Sequence, residues 1–251
     1  MFEVTGLSKS FGGLKALENL DISVKSGEVM GLIGPNGSGK TTTINLITGL
    51  LKADSGKVQL DGKDLTNKAA DIIAKSGTAR TFQNLRIFSR QTVRDNIRVA
   101  QTTLCNSVFS KFVPFLTDEE RVFVSETDAL LNEFELSHVS HKRAASLSYG
   151  EKKRLEMARA LALKPKILLL DEPAAGMNPL ELDWLAETIV GLKKSGLAII
   201  LVEHHMKLVM KICDRITVLN FGNKIAEGSP KEITNNKDVI TAYLGKDHTI
   251  A

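Results

Sequence analysis

The sequence predicts an α/β protein built on a parallel sheet, with antiparallel strands ahead of it and a mainly helical insertion within it. Three observations carry that expectation. An apolar run, Val29 to Ile33, leads into the stretch Gly34-Pro35-Asn36-Gly37-Ser38-Gly39-Lys40-Thr41-Thr42 and then into a helical pattern with Ile44, Ile47 and Leu51 on one face. Two later apolar runs, starting at Ile167 and Leu197, end in Asp171-Glu172 and in Glu203-His204-His205. Strands that are apolar on both faces belong to parallel sheets, and ligands gather at their carboxyl ends. Between residues 90 and 145 helical periodicity replaces strand periodicity.

In chain order, residues 2–27 read as strands. Leu20, Ile22 and Val24 alternate with Asp21, Ser23 and Lys25, the period of a half-buried strand, and Gly12-Gly13 marks a turn. Phe11 precedes that turn; its spacing fits a core phenylalanine and an aromatic that stacks on a nucleotide base equally well. The glycine stretch fits G-x-x-x-x-G-K-[ST], a phosphate-binding loop. Gly34, Gly37 and Gly39 lack Cβ atoms, so the loop can curl and aim successive N–H groups inward. The following helix adds the positive end of its dipole. Lys40 supplies a mobile charge for the β- and γ-phosphates, Thr41 a hydroxyl for Mg²⁺, and Thr42 reach to the α-phosphate. A glycine-rich turn with a chance lysine is the alternative, and the strand before and helix after argue against it.

Further along, Ala53-Asp54-Ser55-Gly56 is a turn, Lys57 to Asp61 alternates around Val58 and Leu60, and residues 65–77 are helix-like. Thr81-Phe82-Gln83 follows. Residues 106–114 form a loop-like patch, and Asp118 to Phe134 reads as an amphipathic helix with Val122, Ala129, Leu130 and Phe134 apolar. Ser148 is a good N-cap, and Glu151 three residues on completes a capping box. The helix it opens carries Lys152, Lys153, Arg154 and Arg159, expected as a solvated face, against Leu155, Ala158 and Ala162. At the carboxyl end of its strand Asp171 can hold Mg²⁺ through water. Glu172 can orient and polarise an attacking water, the alternative being an ion pair with a lysine. His204 faces the same edge and could reach a γ-phosphate. A hairpin through Phe221-Gly222-Asn223 and a helical tail, 230–245, close the chain.

The totals exclude little but bound the answer. The chain has 251 residues, 43% of them hydrophobic and 25% charged, and a net charge of +4. That is ordinary globular composition with no strong pull toward nucleic acid. Cys105 and Cys213 form no metal-type spacing and are expected as two buried thiols. Met1-Phe2-Glu3-Val4 runs straight into a strand pattern, so no signal peptide is expected. Nor does an apolar run approach the ~18 residues of a membrane span. A cytoplasmic protein that reaches a membrane only by docking is the expectation.

Together these residues resemble the ATPase subunit of ATP-binding cassette (ABC) transporters, over essentially the whole chain. Gly34–Thr42 match the Walker A loop, Gln83 the Q-loop glutamine, Leu147-Ser148-Tyr149-Gly150-Glu151 the signature, Ile167–Asp171 Walker B, Glu172 the catalytic glutamate and His204 the switch histidine. Phe11 sits where the family's adenine-stacking aromatic lies. Tyr149 stands at the first signature glycine, and Asn178 at the aspartate of the family's D-loop. Arg80–Phe88, Asp171–Pro179, Glu203–Met210 and Asp238–Gly245 are similar to ATPases of branched-chain amino acid importers.

The resemblance implies a RecA-like P-loop NTPase core with an antiparallel β subdomain (residues 1–83 and 161–245), a helical signature subdomain (84–160) and a short tail (246–251). It implies ATP and Mg²⁺ as cofactors, with Thr41, Gln83 and Asp171 toward the metal and Lys40, Glu172 and His204 catalytic. Ser148, Tyr149, Gly150 and Glu151 would complete the ATP site of a second subunit, identical or paralogous. Asn84–Arg90, with Leu85, Ile87 and Phe88, is the candidate groove for one of two permease subunits. A periplasmic or extracellular binding protein would take part indirectly, and nucleic acid not at all. Placement on the cytoplasmic face of the membrane follows. An ATPase of an exporter or lipid-extraction system is the alternative, and a soluble non-transport ABC ATPase a further one. A small-molecule P-loop kinase is disfavoured by the signature and Glu172.

Overall fold

The structure, a computed structural model, describes residues 1–83, 85–103 and 118–244. Asn84, Cys105, the patch at 106–114 and the final residues from Gly245 lie outside them. The chain divides into two compact units, Met1–Arg80 with Lys166 onward, and Thr81–Pro165.

The first unit holds two sheets. β1 (Phe2–Phe11), β2 (Leu14–Val24), β4 (Ser55–Leu60) and β5 (Lys63–Asp64) form an antiparallel sheet in the order β2-β1-β4-β5. Its register pairs Phe2 with Val24 and Leu60, and Val4 with Ile22 and Val58. Side chains alternate across a strand, so this register puts all six on one buried face. The second sheet has the order β10-β9-β3-β8-β7-β6, with β3 (Val29–Ile33), β6 (Thr78–Arg80), β7 (Ile167–Asp171), β8 (Ala198–Val202), β9 (Arg215–Asn220) and β10 (Asn223–Gly228). All its neighbours are parallel except the β9–β10 hairpin. Every residue of β3, β7 and β8 is buried, as their unbroken apolar runs require.

α1 (Lys40–Ile47) lies between the two sheets: Ile44, Leu46 and Ile47 join one core with Phe2, Leu20 and Leu60 of the first sheet and Met30, Leu169 and Ile200 of the second. Truncating Ile44 to alanine in such a core costs about 2–5 kcal/mol. α2 (Ala70–Lys75) precedes β6. α6 (Pro179–Lys194), α7 (Met206–Ile212), α8 (Pro230–Thr234) and α9 (Lys237–Leu244) complete the unit. No helix among the described residues is long and apolar enough to cross a membrane.

The second unit is helical: α3 (Val93–Gln101), α4 (Asp118–Glu133) and α5 (Tyr149–Leu161), joined by 3-10 turns at Ser137–Val139 and Ala144–Ser146. Val93, Ile97, Leu131, Phe134, Leu136 and Leu155 are its buried anchors. Two expectations need correcting here. α4 buries Thr127 and Leu131, with Phe134 just beyond it, whereas Val122 and Ala129 are exposed. Its inward face is set by α3, where the buried Thr127 hydroxyl donates to Gln101 Oε1 at 2.9 Å. On α5 the basic residues do not share one solvated face, because consecutive residues turn by about 100°. Lys153 is only 2% exposed, with its Nζ 5.8 Å from the centre of the Tyr149 ring.

Candidate nucleotide site

The parallel register brings three chain ends to one edge. Val202 of β8 pairs with Leu32 of β3 on one side and with Asp171 of β7 on the other. The residues that follow each strand, Gly34, Glu172 and Glu203-His204, therefore emerge together.

Gly34 has φ 153°, and a Cβ there would stand 2.1 Å from the Leu219 carbonyl oxygen. Gly39 has φ 107°, and a Cβ would come within 2.8 Å of the Ala16 carbonyl oxygen. Only glycine fits either place. The β9–β10 turn braces the loop: the Gly222 N–H donates to the Ser38 carbonyl at 3.0 Å. Lys40 folds back over the loop, its Nζ donating to the carbonyls of Gly34 (2.8 Å) and Pro35 (2.9 Å). Burial lowers its pKa, and the charges of Glu172 and Asp171 oppose that shift. Both carboxylates are thus within electrostatic reach of the ammonium. The Ser38 hydroxyl is buried without a hydrogen-bond partner among the described residues. Pro35 and Asn36 form the turn, which the Ser38 N–H closes onto the Pro35 carbonyl at 3.2 Å. Gly37 has open space above its α-carbon, and Thr41 is exposed, with Thr42 half-buried. A curled loop with an ammonium across it and an unsatisfied buried hydroxyl suits a polyphosphate.

Glu172 sits one residue past β7 at φ 50°, a left-handed conformation rare for a non-glycine residue. Its Oε1 lies 2.7 Å from His204 Nε2. The two histidines divide their roles: His205 caps α7, its Nδ1 accepting from the Leu208 N–H at 3.4 Å, and His204 meets Glu172. Asp171 is buried and paired with Arg80 at 2.7 Å, and Arg80 also donates to Asn45 Oδ1 of α1 at 2.7 Å. A carboxylate and a threonine hydroxyl are hard oxygen donors of the kind Mg²⁺ takes. Phe11 ends β1 and is 45% exposed, with Lys9 Nζ 5.6 Å from its ring centre. That position rules out the core reading of this residue.

Gln83, Ser148, Tyr149, Gly150 and Glu151 belong to the second unit. Gln83 is exposed. The expected capping box is present: the Glu151 N–H donates to Ser148 Oγ (3.2 Å) and the Ser148 N–H to Glu151 Oε2 (2.7 Å). Gly150 is buried and Tyr149 44% exposed. The Phe88 backbone is fixed from behind by buried Asn96, which accepts from the Phe88 N–H (2.8 Å) and donates to the Phe88 carbonyl (3.0 Å). The Phe88 ring is left exposed, with the Arg159 guanidinium 4.8 Å from its centre.

Three residues at the first unit's site escaped the sequence reading. Arg80 had only its place just before Thr81-Phe82-Gln83 as a signal. Glu203 reads as one more acid at a strand end, yet it is 3% exposed and fully bonded to backbone. Tyr243 of α9 is burdened by burial, which raises its pKa, and the Gly34 backbone bonds to its hydroxyl and opposes that shift. No spacing rule connects residues so far apart. Cys213 is buried, which pushes its thiol up to about 12 and leaves it inert near neutral pH.

Residues 17–175 match the model of the ABC transporter family, and residues 223–249 a second model described as the branched-chain amino acid ATP-binding cassette transporter. The chain is 41% identical over 250 residues to the high-affinity branched-chain amino acid transport ATP-binding protein BraF of Pseudomonas aeruginosa, covering 98% of both. It is 42% identical to LivG of Salmonella typhimurium, a protein of the same description, again covering 98% of both. Among solved structures, an ATP-binding cassette of an ABC transporter in its ADP conformation superposes with a TM-score of 0.85 at 34% identity, over 98% of this chain and 99% of that one. A dimeric cassette in a post-hydrolysis state, bound to ADP and Pi, gives 0.78 at 25% identity over 92% and 99%.

The fold and the phosphate loop define a nucleotide-binding P-loop ATPase. More narrowly, the chain belongs to the ABC transporter family, as an ATP-hydrolysing subunit.

Proposed function

We propose that this chain powers uptake of branched-chain or related amino acids through a separate pair of membrane permeases, by hydrolysing ATP between two ATPase subunits. The observation that carries the hydrolytic part is the 2.7 Å contact between Glu172 and His204 at the sheet edge that bears Lys40. The substrate class rests on the described relatives and on the match at 223–249.

Lys40 and the loop N–H groups of Gly34–Thr42 hold the β- and γ-phosphates, and Phe11 stacks on the adenine. Thr41 and Asp171 would hold Mg²⁺, which supplies charge neutralisation on the phosphate oxygens when bound. Glu172 accepts a hydrogen bond from the attacking water and aims it in line with the γ-phosphorus. His204 turns its Nε2–H from Glu172 to a γ-phosphate oxygen and stabilises the charge that develops there. Ser148, Tyr149, Gly150 and Glu151 of one subunit close over the ATP of the other. Two subunits thus pair around ATP and separate around ADP, because only ATP presents a γ-phosphate to both sides. The Phe88 surface receives a cytoplasmic helix of the permease and transmits the closure. The protein works at the cytoplasmic face.

Changing Glu172→Gln tests this reading. ATP binding should persist, turnover should fall by at least about a hundredfold, and a dimer should accumulate with ATP. A Glu172→Gln chain that turns over normally as a monomer would falsify it.

A further inference from the structure

Glu203 ends in the middle of the site without a part in the chemistry. Its carboxylate is buried, yet all its partners are main-chain donors. Oε1 accepts from the Ala174 N–H at 2.7 Å, and Oε2 from the N–H groups of His204 at 2.9 Å and His205 at 3.1 Å. A carboxylate is an acceptor only, with room for several donors, so three converging N–H groups suit it as no amide or hydroxyl would. The two backbones it ties are those that carry the reacting side chains. Ala174 lies two residues after Glu172, whose own N–H bonds to the Val202 carbonyl at 2.9 Å. The chain then runs on from Ala174 through Met177 to Asn178, the N-cap of α6.

We propose that Glu203 is a positioning residue that sets His204 against Glu172 and couples both to the turn at Ala174–Asn178. The proposal rests on the hydrolytic reading above. His204 Nε2 reaches Glu172 Oε1 only if strands β7 and β8 end at a fixed offset, and the Glu203 carboxylate bridges them at that point. The left-handed Glu172 makes the bridge more consequential. A residue in a sparsely populated conformation stays there only when its surroundings hold it. A shift of His204 toward a γ-phosphate would pull on Oε2 and, through Oε1, on Ala174 and the entry to α6.

The test is a double-mutant cycle on the full chain with Mg-ATP. In Glu203→Gln, whichever way the amide turns, its NH₂ group faces an N–H donor, and one of the two backbones is released. The expected result is a fall in kcat of about tenfold or more with KM for ATP changed by less than about twofold. In a His204→Ala background the same substitution should lower kcat by less than about twofold further, since its effect runs through His204. Glu203→Asp keeps the charge but is shorter by one methylene, and should fall between. If Glu203→Gln does not fold, the cycle is run with Glu203→Asp. An unchanged kcat in either single variant, or an undiminished loss in the His204→Ala background, overturns the proposal. Hydrolysis that is abolished by Glu172→Gln but indifferent to Glu203 sinks this inference alone; a wild-type chain without ATP hydrolysis takes the functional reading down with it.

Discussion

The N-termini of α1 and α5 are both candidate phosphate contacts, and they are finished in opposite ways. α1 follows Gly39, which is left-handed at φ 107°; no side chain caps it and no acid stands in its first turn. α5 follows Ser148, whose hydroxyl takes the Glu151 N–H, and Glu151 lies in its first turn and bonds back to the Ser148 N–H. Helix N-termini leave backbone donors without intrahelical partners, and their dipole favours negative charge. α5 answers both needs from its own sequence. α1 answers neither, and is held instead by its buried face and by the Lys40 bonds to Gly34 and Pro35. A helix end such as that of α5 is stable before it meets a phosphate, whereas that of α1 relies on one: α1 lacks the cap its stability would otherwise use.

The largest effect expected from breaking this contrast is at Gly39. Gly39→Ala forces a Cβ against the Ala16 carbonyl at a left-handed φ. That should cost ~1–2 kcal/mol of stability from the backbone alone, and at least about tenfold in ATP affinity. Titration with a fluorescent ATP analogue beside a thermal melt measures both. Full affinity in a folded Gly39→Ala chain would mean the loop tolerates a cap-like residue.

A smaller effect is expected from Ser148→Ala. Removing that cap should cost about 1 kcal/mol and leave ATP affinity of the isolated chain within about twofold, while turnover in the paired form falls. Chemical denaturation and steady-state ATPase assays read the two. Equal losses of affinity at Gly39 and Ser148 would abolish the distinction between the ends.

The smallest effect is a pH dependence that α5 should show and α1 should not. Burial pushes the Glu151 pKa up, but the Ser148 backbone and hydroxyl and the neighbouring His138 outweigh it and hold the carboxyl below 4.5. A depressed folded value means the stabilisation is complete above about 4.5 and is lost as pH falls through the lower folded value. Wild type and Glu151→Gln should therefore differ in melting temperature at neutral pH and converge in acid. A gap that persists in acid would show that the cap acts through shape and not charge.

Much of the site was legible in the chain because its physics is local. The glycine loop needs its residue types within nine consecutive positions, the capping box within four, and buried parallel strands announce themselves by unbroken apolar runs. The rest depends on which strand ends lie side by side. Arg80 and Asp171 are 91 positions apart, yet form a 2.7 Å pair because β6 and β7 are neighbours. Lys153 reads as surface charge and is buried, since helix phase against α3 and α4 is set by packing that no heptad or capping rule states.

Propensity, periodicity and tight turns act over a few residues, so the kind of elements, their order and the phosphate loop are written in the chain alone. That Glu203 faces three backbone donors, that His204 reaches Glu172 while His205 caps α7, and that Arg80 holds Asp171 are results of assembly that no local pattern states. Those outcomes follow from sheet order and register, which bring together groups separated by tens of residues and make burial choose their partners.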